Sequence, residues 1–297
     1  MKSVLALLLF AIAIPAPAQQ IAITIDDLPV HGTLPPNMTR LDVANSILAT
    51  LKAEHMPPVY GFINGERAQS DANLAVLKAW RTAGEPLGNH TWSHPDIGDL
   101  TPAQFEAEIE KNEPLLESLM PNQDWHWFRY PFLHEGETLD KRHEIRTWLA
   151  QHHYQVAQVN MDFEDYLWND PYARCMAKQD DAAIAHLHDT YLATADQYIT
   201  VFRTLSKLVY GRDVRYILLM HIGAFDARML PELLALYRSR GFTFISLPEA
   251  TADPAYRDDP DMPLKYGGAQ LEQMMAARKL KFPPNSKPYK ELDAICR

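Results

Sequence analysis

The chain has 297 residues, of which 47% are hydrophobic, and 28 basic against 38 acidic residues give a formal net charge of -10. This length suits one large α/β domain or two small ones, and the apolar content is sufficient for a core, which argues against a disordered chain. The acidic balance argues against a broad electrostatic grip on nucleic acid or anionic lipid. A neutral or cationic glycan fits this charge better.

The first 18 residues are predicted to be an export signal. Lys2 precedes an apolar run from Val4 to Ile14, and small residues follow as far as Ala18, where we expect cleavage. The apolar run is shorter than the roughly 20 residues that a membrane-spanning helix needs. We therefore expect a periplasmic or extracellular protein with no stable membrane insertion once the signal is removed.

The chain contains two cysteines, Cys175 and Cys296, and both would remain after cleavage of the signal. In an oxidising compartment they could form one disulfide that ties down the C-terminus. Whether they do depends on the distance between them, which the sequence does not supply.

Short β-rich runs alternate with longer helical patterns, which is typical of parallel strands joined by helical crossovers. The sequence predicts strands at Ile21–Ile25, Val59–Ile63, Pro86–Asn89, Trp125–Tyr130, Tyr154–Val159, Tyr216–Met220 and Phe242–Ser246. It predicts helices near Leu41–Glu54, Ala72–Ala83, Pro102–Leu119, Leu139–His152, Asp181–Val209 and Pro231–Arg240. This alternation indicates an α/β fold, a distorted or incomplete (β/α) barrel with about seven parallel strands.

The predicted barrel forms one catalytic domain over residues 19–250. After Leu247 the composition turns to Pro, Asp, Lys and Tyr, with one further helical pattern near Ala269–Lys279. We expect residues 251–297 to be an extension that packs on the barrel or is partly mobile.

Polar residues lie at the carboxyl ends of most predicted strands, and in a parallel barrel those ends converge on one face. These residues are Asp26 and Asp27 after the first strand, His90 and His94 after the third, Arg129 in the fourth, Asp162 and Asp165 after the fifth, and His221 after the sixth. The convergence predicts an active site at this face.

His90 and His94 are four residues apart, so a helical turn or a tight loop can direct both imidazoles at one ion. A histidine pair at this spacing is common on surfaces and in cores, and alone it is weak evidence. With one carboxylate oxygen, the two nitrogens would form a facial triad that leaves positions open. This donor set favours one divalent metal ion, with zinc preferred and cobalt or manganese next.

The adjacent carboxylates Asp26 and Asp27 end the first predicted strand. An aspartate at a strand end is often only a turn or a helix cap. Because neighbouring side chains in a strand point in opposite directions, the two residues can also take different roles, one as a metal ligand and the other as a base.

Five ordered motifs between Thr24 and Gly223 make the chain resemble the polysaccharide deacetylase family, the NodB-like carbohydrate esterases. The first motif is Thr24-Ile25-Asp26-Asp27-Leu28, for which the resemblance implies Asp26 as general base and Asp27 as metal ligand. The second motif is His90-Thr91-Trp92-Ser93-His94, for which the resemblance implies that both histidines are metal ligands.

The other three motifs imply the groups around the reacting carbonyl. In the third, at 129–132, the resemblance implies that Arg129 pairs with the base and that the backbone N–H of Phe132 helps to hold the oxyanion. The fourth matches loosely at 162–166, where either Asp162 or Asp165 could orient His221, and the place of Asp165 before the aromatic favours it. The fifth, at 219–221, implies His221 as general acid.

Residues beside these motifs are candidates for substrate binding. They are Trp92, His134, Glu135, Tyr166 and Trp168, which could form a rim that stacks on sugar faces, or could simply pack on the barrel. Leu28, Phe132 and Tyr166 replace a glycine, a tyrosine and a tryptophan of the family motifs. The change at Phe132 should be mild, because the implied oxyanion donor is a main-chain group. The departures at Leu28 and Tyr166 bear on the identity of the substrate more than on the chemistry.

The resemblance implies a secreted, metal-dependent deacetylase that acts on an acetylated glycan partner, with N-acetylated peptidoglycan or chitin-like oligomers as substrates. The alternatives on the same fold are an O-acetyl-xylan-type esterase and a small-amide C–N hydrolase. A catalytically silent glycan-binding module is a third alternative. We would expect such a module to lack a ligand or the base, whereas all the proposed ligands, the base and the acid are present.

Overall fold

The computed structural model describes residues 19–297, so the predicted export signal lies outside the described residues. Seven strands are found in the described part, each overlapping a predicted one. They are β1 (Gln19–Leu28), β2 (Tyr60–Ile63), β3 (Leu87–Asn89), β4 (Trp127–Phe128), β5 (Gln155–Val156), β6 (Tyr216–His221) and β7 (Phe242–Phe244).

Helices connect the strands and continue into the C-terminal extension. They are α1 (Arg40–Ala53), α2 (Asp71–Thr82), α3 (Pro102–Glu110), α4 (Glu113–Leu119), α5 (Leu139–Gln151), α6 (Asn169–Lys178), α7 (Asp181–Tyr210), α8 (Ala224–Ser239), α9 (Leu247–Thr251), α10 (Gln270–Ala277) and α11 (Tyr289–Ala294). Among residues 19–297, no helix combines the length and apolar character needed to cross a membrane.

All paired strands run parallel, in the order β5-β4-β3-β2-β1-β6, and β7 pairs with the start of β1. An isolated parallel bridge links Met161, which follows β5, to Leu218 in β6. The sheet therefore curls into an incomplete (β/α) barrel, which confirms the predicted fold. Since β1 pairs with both β2 and β6, its carboxyl end lies at the centre of the face where the strands end.

Three parts of the local prediction need correction. The predicted helix Pro102–Leu119 is divided into α3 and α4, because Asn112 lies between them fully buried and donates to the Ile63 carbonyl at 2.8 Å. Helix α8 begins at Ala224, seven residues before the predicted start, and contains Pro231 within it. Strands β4 and β5 keep only two residues each, and β5 lies at an end of the strand order, where it pairs with β4.

The C-terminal extension packs along the barrel. Helix α10 contacts α7, and the Leu264 N–H donates to the Gly136 carbonyl at 2.9 Å. Cys175 in α6 is bonded to Cys296, so the disulfide that the cysteine count allows is present. The end of the chain is therefore held covalently and by packing.

We expect the Cys175–Cys296 disulfide to stabilise the fold, because it closes a loop with a sequence separation of 121 residues and so restricts the unfolded chain. Replacing Cys296→Ser should lower the free energy of unfolding by about 2–4 kcal/mol. Urea denaturation of the wild type under oxidising and reducing conditions provides the control, since the reduced wild type should match the variant. Equal stability of the variant and the oxidised wild type would contradict this expectation.

Candidate active site

The two carboxylates at the end of β1 diverge because the strand bends there. The pairing of β1 with β2 shifts register between Ile25 and Leu28, and Asp27 has a left-handed φ of 67°. Asp26 is paired with His221 in the register of β1 and β6. Both carboxylates are buried, but they point into different surroundings.

Asp26 is held by a buried arginine. Arg129 Nη1 lies 3.1 Å from both carboxylate oxygens of Asp26, and its Nη2 donates to Thr24 Oγ1 at 3.0 Å. Its Nε donates to the Ala157 carbonyl at 2.6 Å. Burial raises the pKa of Asp26 to about 6, although the charge of Arg129 lowers it. At neutral pH this carboxylate is ionised and can accept a proton.

Asp27, His90 and His94 bring one oxygen and two nitrogens together within 4.8 Å of one another. The Nε2 atoms of His90 and His94 lie 3.8 and 3.4 Å from Asp27 Oδ1, and this oxygen is buried without a hydrogen-bond partner. Burial lowers the pKa of both histidines, which keeps their imidazoles neutral, as metal ligation requires. The unpartnered oxygen and the neutral nitrogens fit a divalent cation.

A tight loop, not a helical turn, directs the two histidines. Thr91 and His94 both have left-handed φ values, 67° and 62°, and the Thr91 N–H donates to Asn89 Oδ1 at 2.9 Å. His90 Nδ1 is hydrogen-bonded to the Arg129 carbonyl at 2.7 Å, which turns its Nε2 toward Asp27. His90 is thus fixed by a backbone carbonyl that follows β4, whereas His94 is held within the loop, where its N–H donates to Thr91 Oγ1 at 3.1 Å.

Of the two candidate aspartates, Asp165 is the one that is hydrogen-bonded to His221. Asp165 is fully buried, its Oδ1 lies 2.8 Å from His221 Nδ1, and its Oδ2 accepts from the His221 N–H at 2.7 Å. Burial lowers the pKa of His221, but the charge and hydrogen bond of Asp165 outweigh burial and raise it to about 10. Asp162 instead accepts from the Glu164 N–H at 2.7 Å and lines the cavity.

These groups face one cavity of about 410 Å³, a size typical of small-ligand sites. Its lining includes a part of the chain that the sequence analysis left without function, the C-terminal extension. Phe132, which is 57% exposed, also lines the cavity, with its ring 4.6 Å from that of His94. The lining residues contributed by the extension are Gly267, Gly268, Glu272 and Lys287.

Most residues of the predicted substrate rim do not line the cavity. Trp168 is fully buried and donates to Thr190 Oγ1 at 3.0 Å. His134 is hydrogen-bonded to Asp96 and to the Leu264 carbonyl, which leaves its ring buried. These contacts belong to the packing of the barrel and its extension, so the side chains do not reach the cavity.

The remaining rim residues divide between packing and the cavity. Buried Glu135 accepts from Arg142 and Arg146 at 3.1 and 2.9 Å, so it forms a structural ion-pair cluster. Trp92 is half-buried under the Lys111 ammonium, 4.6 Å from the ring centre, and does not line the cavity. Tyr166 does line it, with its ring 5.2 Å from that of His221.

His31 also lines the cavity, although none of the sequence motifs includes it. His31 lies four residues after Asp27, and its Nδ1 is 2.7 Å from Asp27 Oδ2. Burial opposes ionisation of Asp27, yet the hydrogen bond to His31 helps hold the pKa of this carboxyl well below its usual range. The spacing of His31 from the acidic pair was the available signal.

Comparisons with known proteins agree with this geometry. Residues 13–155 match the family model described as polysaccharide deacetylase. The chain is 26% identical over 157 residues to a peptidoglycan-N-acetylglucosamine deacetylase of Bacillus cereus, covering 53% of this chain and 50% of that protein. It is 26% identical over 91 residues to a chitin deacetylase of Arthroderma benhamiae, covering 31% of this chain and 23% of that protein. The chain thus spans half or less of the length of these curated relatives.

Solved structures share the fold. The chitin deacetylase of Colletotrichum lindemuthianum superposes with a TM-score of 0.55 at 21% identity, covering 80% of this chain and 88% of that one. A carbohydrate esterase family 4 pseudoenzyme of Bacillus anthracis superposes with a TM-score of 0.54 at 17% identity, covering 79% and 66%.

The fold and the site define a protein with an incomplete (β/α) barrel whose strand ends carry a candidate metal centre beside a carboxylate and a histidine. With the ordered motifs, the family-model match shows that residues 13–155 carry a polysaccharide deacetylase domain of the NodB-like type.

We expect Arg129 to be essential for stability, because its removal leaves the buried carboxylate of Asp26 without a compensating charge. Arg129→Met should lower the free energy of unfolding by roughly 3–5 kcal/mol, measured by urea denaturation with circular dichroism. The double variant Asp26→Asn with Arg129→Met is the matched control, and it should regain part of the loss. A loss of less than about 1 kcal/mol in the single variant would show that the pair behaves like an exposed one.

Proposed function

We propose that the protein is a metal-dependent deacetylase that hydrolyses the acetyl groups of N-acetylated glycans, with peptidoglycan or chitin-like oligomers as substrates. The observation that carries the proposal is that one cavity is lined by the Asp27, His90 and His94 donors, by Asp26 and by His221. Asp26 is hydrogen-bonded to Arg129, and His221 is hydrogen-bonded to Asp165. The names of the curated relatives, one acting on peptidoglycan and one on chitin, support this substrate class.

Asp27, His90 and His94 would hold the cation, with zinc favoured and cobalt or manganese as alternatives. Bound there, the ion would supply Lewis-acid polarisation of the acetyl carbonyl and would promote ionisation of water. Export of the protein to the periplasm or the extracellular space is part of the proposal, and the Cys175–Cys296 disulfide supports it, since such bonds persist in oxidising compartments.

Three groups of the chain would accept the proton, hold the oxyanion and supply the proton to the leaving group. Asp26, ionised and fixed by Arg129, accepts the proton of the attacking water. The backbone N–H of Phe132 donates to the developing oxyanion, and the left-handed φ of 56° at Phe132 marks the sharp turn of this backbone at the cavity. His221 is protonated at neutral pH because of Asp165, so it can donate its proton to the departing amine.

The match to a pseudoenzyme shows that the fold alone does not establish activity. In this chain the three metal donors, the proposed base and the proposed acid are all present at the cavity. This complete set favours an enzyme over a silent glycan-binding module.

Acetate release from a panel of acetylated glycans tests the proposed function. We expect release from N-acetylglucosamine oligomers or peptidoglycan fragments, loss of release after chelation, and recovery on addition of one divalent ion. Release from O-acetylated xylan alone would favour the esterase alternative, and release from small amides alone would favour the C–N hydrolase. Absence of release from every substrate by the metal-loaded protein would favour the glycan-binding module.

A matched pair of substitutions separates the proposed base from the proposed ligand. Asp26→Asn should retain metal, while kcat falls by about 100-fold or more, because the proton acceptor is lost. Asp27→Asn should chiefly weaken metal affinity, so that added metal recovers part of the activity. Bound metal and kcat are measured for each variant across a metal titration. Rescue of Asp26→Asn by added metal would reverse the assignment.

A further inference from the structure

The segment between β1 and α1 places His31 in the cavity, beside the proposed metal donors. Its side chain is 18% exposed, and its Nδ1 lies 2.7 Å from Asp27 Oδ2. Its ring stands 4.7 Å from that of His221 and 6.0 Å from that of Tyr166. His31 therefore occupies the space between the metal donors and the proposed acid.

The contact with His31 makes the two oxygens of Asp27 different. Oδ2 is engaged by the imidazole, while Oδ1 is buried without a hydrogen bond and lies 3.8 and 3.4 Å from His90 and His94. Arg67 Nη1 also lies 3.3 Å from Oδ1, on a side chain that is 33% exposed. An ionised carboxylate can only accept, so His31 Nδ1 must carry the proton and donate it to Oδ2. Oδ1, which has no hydrogen bond and only the longer ion-pair contact with Arg67, remains available to a metal cation.

The backbone around His31 is held by two arginines, Arg40 and Arg67. Arg40 donates from Nη1 to the His31 carbonyl and from Nη2 to the Gly32 carbonyl, both at 2.6 Å. Arg67 Nη1 donates to the Val30 carbonyl at 3.0 Å. Contacts from two separate elements therefore fix where the imidazole stands.

We propose that His31 is a positioning residue of the metal site, which acts by holding Asp27 so that Oδ1 faces His90 and His94. Ligating carboxylates commonly need such a hydrogen-bond donor, and its loss typically lowers metal affinity 10–100-fold. The inference rests on the proposed metal site and adds to it a residue outside the family motifs quoted above. Asp27, His31 and His221 also lie close enough to share an ion, so direct ligation by His31 is the competing arrangement.

Metal affinity of three variants distinguishes these arrangements. The metal-free protein is titrated with Zn²⁺ in competition with a chromophoric chelator, and with Co²⁺ while its visible spectrum is recorded. We expect His31→Ala to weaken Zn²⁺ binding 10–100-fold and to change the Co²⁺ spectrum. His31→Asn should restore most of the affinity, because the asparagine amide N–H takes the place of Nδ1–H. His31→Gln should not restore the Zn²⁺ affinity, because the glutamine amide extends toward the position of Nε2 and not that of Nδ1.

His143→Ala is the matched control, since this histidine is exposed on α5 and lines no part of the cavity. Circular dichroism of each variant checks that the fold is retained. If the wild type binds Zn²⁺ and His31→Ala binds it with the same affinity, the positioning role of His31 is wrong, while the proposed metal site stands. Restoration by glutamine but not asparagine would overturn it in favour of direct ligation. A wild type that binds neither metal would overturn the proposed metal site, and this inference with it.

Discussion

The guanidinium of Arg129 lies buried beneath the cavity and joins separate parts of the chain. It contacts Thr24 and Asp26 on β1 and the Ala157 carbonyl beyond β5, while its own carbonyl receives a hydrogen bond involving His90. Because a buried charge without a partner is costly, these contacts must form together when the barrel closes. The position of the proposed base relative to the metal donors is therefore set by the packing of the sheet.

The bend at the end of β1 converts two neighbouring carboxylates into groups with different chemistry. Asp26 continues the strand register and meets Arg129, whereas Asp27 turns into a left-handed conformation and faces His90, His94 and His31. The pKa values separate accordingly, with that of Asp26 raised by burial and that of Asp27 held low. Groups whose pKa values diverge in this way are suited to separate roles in one reaction.

The C-terminal extension contributes to the cavity as well as to stability. At Gly267 an added Cβ would lie 1.6 Å from the Phe132 carbonyl oxygen, so only glycine allows the extension to approach the Phe132 turn this closely. Farther along, Lys287 forms an ion pair with Glu164 at 2.8 Å, and Tyr289 donates a hydrogen bond to the same carboxylate. The shape of the cavity thus depends on residues beyond the barrel strands, and the Cys175–Cys296 disulfide holds the end of this segment in place.

The sequence by itself determined the fold and most of the residues at the candidate site. Alternating strands and helices predict a parallel barrel, in which the carboxyl ends of the strands meet at one face. The sequence therefore predicts that Asp26, His90 and His221 lie close together. Which of the predicted site residues are buried was decided only by the tertiary structure. Glu135 and Trp168 follow the motifs in sequence and are nonetheless inside, because Glu135 pairs with arginines of α5 and Trp168 is hydrogen-bonded to Thr190 of α7.

The tertiary structure also supplied His31 and the extension. The spacing of residues along the chain shows which side chains are local neighbours, but it does not show which surface a distant segment will cover. Gly267 is separated from Phe132 by more than a hundred residues, and their contact exists because residues 251–297 pack back over the strand ends. His31 meets Asp27 because Arg40 and Arg67 hold its backbone, and no periodic pattern in the sequence records such side-chain contacts to a loop.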